Sequence, residues 1–521
     1  MGKYLGLDSS TQSLTGLVID SDAGTILAEE SVNFDAHFGA TYGVQNGVLE
    51  LGGGQVHSAP LMWADALDLL LEALAGRVDL AAIRAVAGSG QQHGTVYLND
   101  GAAAALAGLD PARSLSQQLA GILSRATAPI WMDTSTTAQC RQLEAGVGGR
   151  QALLKLTGNT AFERFSGPQI RKFWQTDPSG YERTACICLV SSFVASLLAG
   201  RLVPVDPGDG SGTNLMDIRT RQWSPRALEA CAPGLAPRLL PVIPSHQVAG
   251  PISPYYVRKH GFAPDCRVLP FSGDNPCSLI GLGLVRPGQV ALSLGTSDTL
   301  FACMDQPRTS ASGEGAVFAS PDGTNYMALI CFLNGSLARE AVRDQYGLDW
   351  AGFARALADT PAGNGGALLL PYFAAEIVPH VAAPSVVRHR LDAADAARNV
   401  RAVIEAQALS SRIHSAWMEV PIRSLAVTGG ASANAAILQV YADVHGCPVH
   451  RFQTTSAAAL GAALRACHGD TLAQRGRAEW SALVEPFARP AGATIQPNPA
   501  HRATYDARLE EYRQLEARHP G

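Results

Sequence analysis

No C-x-x-C pair occurs anywhere in this chain, although ten cysteines are scattered through it at irregular spacings. A zinc ribbon or a thioredoxin-type redox motif therefore has little support. Cys186 and Cys188 form a C-x-C within an apolar run, and the expectation is burial as small hydrophobes in a thiol-reducing compartment. Charge is also scarce: Asp, Glu, Lys and Arg make up 16% of 521 residues, the net charge is −5, and the basic residues are dispersed. With no basic stripe, nucleic acid is not an expected partner. No apolar run approaches the roughly 18 uninterrupted residues of a membrane span. The longest, Leu189 to Leu198, is broken by serines and reads as a packed helix. The opening MGKYLGLDSS runs straight into strand-like sequence without a leader pattern, so a cytoplasmic location is expected.

The familiar nucleotide and hydrolase signatures are missing as well. There is no G-x-x-x-x-G-K-[ST], no H-R-D or D-F-G, no H-E-x-x-H and no G-x-S-x-G. A P-loop, a protein-kinase core, a zincin and a nucleophile elbow are all excluded. A nucleotide, if handled, must be held by another fold.

What the chain does have is apolar mass. Hydrophobic residues reach 47% over a length that exceeds a single core, so two domains are expected. Lys3 to Leu7 is apolar and ends on Asp8; Ser9-Ser10-Thr11-Gln12-Ser13 is a polar turn; Leu14 to Ile19 and then Thr25 to Phe34 resume strand-like patterns. Strand, turn, strand, turn, strand describes an antiparallel meander and not the βαβ opening of a dinucleotide fold. The pattern returns in the second half, where Gln289 to Leu294, the turn Gly295-Thr296-Ser297-Asp298-Thr299 and Leu300 to Met304 repeat it, pointing to a duplicated domain. Helical spacing marks Ser58 to Ala75, Val400 to Trp417 and Asn434 to Val444, and the Arg- and Glu-rich tail from Asn498 reads as a solvated terminal helix.

Four further segments could carry chemistry. The Asp8 turn offers a carboxylate suited to Mg²⁺ and hydroxyl and backbone donors for phosphate, though an Asx hairpin turn looks the same. Ser272-Gly273-Asp274-Asn275-Pro276 places a lone carboxylate before a helical stretch, as a helix cap or as a general base. Gly88-Ser89-Gly90-Gln91-Gln92-His93-Gly94 reads as a loop in which Gln92 and His93 offer directional donors to sugar hydroxyls, or as a loop around a structural histidine. Thr428-Gly429-Gly430-Ala431-Ser432 joins a strand to a helix N-terminus with room for a nucleotide.

In this order and spacing the segments resemble the FGGY family of carbohydrate kinases, over essentially the whole chain from Tyr4 to about Ala466. Longer blocks, including Trp131-Met132-Asp133, Glu163-Arg164-Phe165-Ser166-Gly167, Leu189 to Phe193 and Asp209-Gly210-Ser211-Gly212, are similar to the D-xylulose kinase branch of eukaryotic type. The resemblance implies an α/β fold of two ribonuclease-H-like domains of the actin/hexokinase ATPase type beside a deep interdomain cleft, divided as 1–270 for sugar and 271–521 for ATP. It implies Asp274 as the catalytic base, and Gln92, His93, Arg164 and Asn275 with it as the D-xylulose site. Asp8 would organise Mg²⁺; Thr11, Gln12, Ser13, Gly295, Thr296 and Ser297 would face the phosphates of ATP; Trp350, Gly429, Gly430, Ala431 and Asn434 would lie against the adenosine. The chain departs from bacterial members at Gln92, where they carry Met, and at Thr134-Ser135, where they carry a basic residue, which leaves open which side chains complete the sugar pocket. Ribulose or glycerol as substrate, a non-catalytic sugar-binding regulator, and an actin- or chaperone-like ATPase are the alternatives; a homodimer is compatible with the sequence.

Overall fold

The computed structural model describes residues 2–452 and 456–519. The chain forms two compact units. The first comprises Met1–Val285, Phe318–Tyr326 and Thr455–Ala488; the second comprises Arg286–Val317, Met327–Thr454 and Arg489–Gly521. The units are thus not cut at residue 270, and Asp274 lies inside the first.

The first unit is built on strands β1 (Lys3–Ser9), β2 (Ser13–Asp20), β3 (Thr25–Asn33), β4 (Ile83–Gly90), β5 (Gly250–Pro251), β6 (Arg267–Val268) and β7 (Ser272–Gly273). They form one sheet in the order β5-β6-β4-β1-β2-β3, with β7 also paired to β4. β1, β2 and β3 make the expected antiparallel meander, while β4 runs parallel to β1. Tyr4, Leu5, Gly6 and Leu7 are all buried because β1 is covered on both faces, hence its continuous apolar run. One covering layer is the helix Pro60–Ala75, which opens on Pro at its first position and buries Met62, Trp63, Leu67, Leu70, Leu71 and Leu74. The run from Leu189 is the helix Val190–Ala199, wholly buried. Cys186 and Cys188 lie just before it on a strand, and nine of the ten cysteines are buried with free thiols.

The glycines Gly281 and Gly461 explain why residues beyond 455 return to the first unit. The helix Ala457–Arg475 crosses the helix Asp274–Gly281 so closely that a Cβ on Gly461 would meet Cys277 O at 1.9 Å, and one on Gly281 would meet Ala457 O at 1.9 Å. Backbone-to-backbone contact of this kind admits only glycine. It anchors the helix that begins with Asp274.

The second unit repeats the local arrangement. β8 (Gln289–Leu294) is antiparallel to β9 (Asp298–Met304) and parallel to β11 (Ser424–Thr428). With β10 (Tyr326–Phe332) and β12 (Val449–Arg451) the order is β10-β9-β8-β11-β12. A hairpin with a parallel third strand against its first strand therefore occurs in both units, which is the duplication expected from the two hydroxyl-rich turns. The predicted helices are present as Ala396–His414 and Ala435–His445. The terminal helix Arg502–Arg518 corrects the solvated reading: it buries Tyr505, Tyr512 and Leu515, and Tyr505 Oη accepts from Arg401 and donates to Glu405. Its charged residues hid a narrow apolar stripe. Among the described residues, no helix is long and apolar enough to cross a membrane.

Candidate active site

In the first unit, parallel pairing of β1, β4 and β7 brings three strand ends to one sheet edge. Asp8 lies opposite Ser89, Ser9 opposite Gly90, and Gly90 opposite Gly273. Gly88 to Gly90, read from sequence as loop, belong to β4; small residues there let neighbouring segments close in. The three strands lead respectively into the Asp8 turn, Gln91-Gln92-His93, and Asp274-Asn275.

Asp274 opens its helix, but Gly273 is the cap residue and the carboxylate does not cap. Its Oδ1 accepts from the backbone N of Asn275 at 2.8 Å, the backbone N of Gln92 at 3.3 Å and Asn275 Nδ2 at 3.1 Å. All three bonds fall on one oxygen, and Oδ2 carries none of them. Burial, reinforced by the negative charge of Asp8, pushes the Asp274 carboxyl up to about 7. A carboxyl balanced near neutrality suits a general base.

Asn275 also donates from Nδ2 to Gln92 Oε1 at 3.0 Å, so the two amides are mutually oriented. His93 sits in the left-handed region at φ 75°, stacked on Phe165 at 4.1 Å. Its ring bonds the carbonyl of Gly212 through Nδ1 at 2.6 Å, and burial depresses the imidazole to about 3. A carbonyl only accepts, so the single proton of the neutral ring is on Nδ1 and Nε2 presents a lone pair. The expectation of a donor is corrected here: His93 is an acceptor. Arg164 is close enough for its charge to lower His93 further. Thus Gln92, His93, Arg164, Asp274 and Asn275 are brought together.

The Asp8 carboxylate accepts from Ser10 Oγ at 2.5 Å and from Ser89 Oγ at 2.7 Å, and burial raises its pKa. Thr11 Oγ1 accepts from Trp131 Nε1 at 2.8 Å. Gln12 is exposed in the turn, while Ser13 begins β2 opposite Asn33. At Thr134-Ser135, Ser135 is tied to the buried Asp133 and accepts from Lys172 Nζ at 2.6 Å. A lysine from the helix Ser166–Thr176 therefore stands beside the position where the sequence showed no base.

Beside these residues lies a buried acidic pair to which the sequence assigned no role. Asp206 accepts from Ser272 Oγ and pairs with Arg465 Nη2 at 3.2 Å. Asp209 accepts from Ser191 Oγ, and burial with the nearby charges of Asp206 and Asp274 raises it to about 8. The local signal for Asp206 is its place before Pro207, a helix-start pattern.

The second unit contains a cavity of about 850 Å³. Gly295, Thr296, Trp350, Gly430, Ala431 and Asn434 all line it. Asn434 caps the helix Ala435–His445 through Oδ1, leaving its NH₂ for a ligand. Ser297 and Gly429 are not in the walls. Gly429, at φ 87°, lies against β8, and a Cβ there would meet Leu294 O at 2.5 Å. It shapes the turn; it does not line the cavity. Arg339 was not foreseen: it makes a bidentate pair with Asp298 at 2.8 and 2.9 Å and donates to Gly295 O at 3.0 Å, which fixes the Gly295–Ser297 turn.

The model of the N-terminal domain of the FGGY family of carbohydrate kinases matches residues 123–281, and that of the C-terminal domain matches residues 290–469. A xylulose kinase of Rattus norvegicus is 44% identical, with 99% of this chain and 96% of the relative covered. Xylulose kinase 2 of Arabidopsis thaliana is 43% identical over 89% of this chain and 87% of its own. Among solved structures, a xylulose kinase from Rhodospirillum rubrum superposes with a TM-score of 0.82 at 20% identity, covering 99% of each chain, and shares the fold. With two strand-hairpin units, two matching domain models and full-length relatives of this similarity, the chain belongs to the FGGY family of carbohydrate kinases.

Proposed function

We propose that the chain transfers the terminal phosphoryl group of ATP to D-xylulose, giving D-xylulose 5-phosphate and ADP, with Asp274 accepting the proton of the terminal hydroxyl. Asp274 carries this reading. Three donors hold Oδ1, Oδ2 is left open, and the group titrates near 7, beside amides and an imidazole lone pair suited to a polyol. The substrate assignment draws on relatives named xylulose kinase that align along nearly the whole chain.

Magnesium enters with the nucleotide. Among the described residues no group of three or more His, Cys, Asp and Glu could hold a metal. A single carboxylate at Asp8 fits an ion that keeps its waters and rides on phosphates, where it would neutralise the charge of the leaving group. We assign phosphate contacts to Thr11, Gln12 and Ser13 in the first unit and to Gly295, Thr296 and Ser297 in the second, and the adenosine to the second unit's cavity at Trp350, Gly430, Ala431 and Asn434. We place the enzyme in the cytosol, where free thiols persist.

The test is ADP release with D-xylulose, D-ribulose, L-ribulose and glycerol in turn. Highest kcat/KM on D-xylulose is expected. A better substrate would overturn the sugar assignment, and ATP hydrolysis indifferent to sugar would overturn the kinase reading for an ATPase one.

A further inference from the structure

Gln91 stands between the two carboxylates of the proposed mechanism. β4 is the middle of the three strands at the sheet edge, so the residue just beyond it is flanked by the Asp8 turn on β1 and by Asp274 after β7. The backbone N of Gln91 donates to Ser9 O at 2.8 Å, which holds the residue against the Asp8 turn. The side chain is buried at 1% exposure.

A chain of polar contacts leads to its amide. The Trp131 indole N–H can only donate, and it donates to Thr11 Oγ1 at 2.8 Å. The Thr11 hydroxyl, having accepted, directs its own proton to Gln91 Oε1 at 3.5 Å. Oε1 of the amide faces Thr11 across this long contact, and Nε2 is left buried with no partner among the described residues. Buried NH₂ groups are rarely left unpaired, and one at a reaction centre is a donor waiting for a ligand oxygen. Gln92 Nε2 is likewise without a partner among the described residues, but its carbonyl is held by Asn275 on the sugar side.

We infer that Gln91 is a further catalytic residue, whose Nε2 donates to a non-bridging oxygen of the phosphoryl group in transfer. The inference rests on the proposed function. If Asp274 deprotonates the attacking hydroxyl and the Asp8 turn faces the phosphates, the phosphorus passes between them, where Gln91 stands. Negative charge is spread over three equatorial oxygens in that transition state, and a fixed donor stabilises it more than the ground state. No bond to Gln91 forms and no proton leaves it.

The experiment compares wild type with Gln91→Leu and Gln91→Glu under saturating ATP and varied D-xylulose, together with thermal unfolding. Loss of the donor should lower kcat by about 10- to 100-fold while the sugar KM stays within about 3-fold, and Glu should be the worse replacement because it repels the phosphoryl oxygens. A kcat within about 2-fold of wild type in both variants overturns the inference, as does an effect confined to sugar KM, which would make Gln91 a ground-state sugar ligand. Should the Leu variant not fold, Gln91→Glu and Trp131→Phe decide. The latter frees the Thr11 hydroxyl and unfixes the amide, so kcat should fall several-fold at unchanged melting temperature; unchanged kcat overturns the inference. A wild type that shows no sugar-dependent ADP release at all would instead remove the underlying kinase reading, and this inference with it.

Discussion

Arg465 and Asp206 form an ion pair at 3.2 Å in which both side chains are fully buried. The same guanidinium donates to Pro270 O at 2.8 Å and to Gly88 O at 3.1 Å. One residue thereby ties β4, which leads to Gln92 and His93, to the segment that leads to Asp274. Ser272 completes the link by donating to Asp206. Replacing Arg465 with Met leaves Asp206 charged, buried and unpaired, which costs about 3–5 kcal/mol. Urea unfolding should show that loss, with kcat reduced in whatever fraction still folds. A variant as stable as wild type would remove the pair from any role in holding the site.

To act as the proposed base, Asp274 must be ionised, and its folded-state value lies near 7. The kcat/KM for sugar, which reports the free enzyme, should therefore fall on the acid side with a midpoint near 7 rather than near 4. Asp274→Asn should lower kcat by about 10²–10⁴ while sugar binding, measured by calorimetry, persists. Near-normal turnover in that variant would assign the base elsewhere.

His93 should contribute no pH dependence of its own between pH 5 and 9, because burial holds it neutral down to about 3. His93→Ala removes the Nε2 acceptor and should raise the sugar KM by about 10-fold, the equivalent of one hydrogen bond, with ATP KM unchanged. A rise in ATP KM instead would place His93 on the nucleotide side.

At the second unit's cavity, proposed to take the nucleotide, two adjacent glycines should differ. Gly429→Ala adds a Cβ 2.5 Å from Leu294 O at φ 87°, whereas a Cβ on Gly430 meets nothing within 4 Å. The first substitution should raise ATP KM and destabilise the second unit; the second should fold as wild type and change ATP KM alone. Trp350→Ala, which removes a half-exposed cavity wall, should likewise raise ATP KM without touching sugar KM. Equal stability of the two glycine variants would contradict the contact.

The hairpins of both units are legible in the amino-acid sequence because an apolar run ending in a hydroxyl-rich turn has few other solutions, whereas Asn434 is named only through the family resemblance and its capping role is seen only in the fold. Arg465 and Asp206 are not legible. They lie 259 positions apart, and an arginine in a helix looks like a solvated one until the helix is seen buried all round and pressed backbone to backbone on Gly281. His93 can be placed from sequence but not given a polarity, since its acceptor role depends on Gly212 O, distant along the chain. The unit boundary escapes for the same reason: the close approach of Gly461 to Cys277 leaves no local pattern.

The raised carboxyl of Asp274 also has a consequence for stability. Its pKa is about 7 in the folded chain against 3.8 for an unperturbed group. Between those values the folded state binds more protons than the unfolded one, so stability is greatest below pH 4 for this group and declines as pH rises through 7. Asp209, raised to about 8, acts in the same direction over a slightly higher range. Asn at position 274 keeps the shape and drops the charge. Asp274→Asn should then be more stable than wild type at pH 8.5 by on the order of 4 kcal/mol, with the difference vanishing near pH 4. Urea midpoints at the two pH values measure it. If the inactive variant is no more stable at pH 8.5, burial of the carboxylate carries no cost and its elevation to near 7 is wrong.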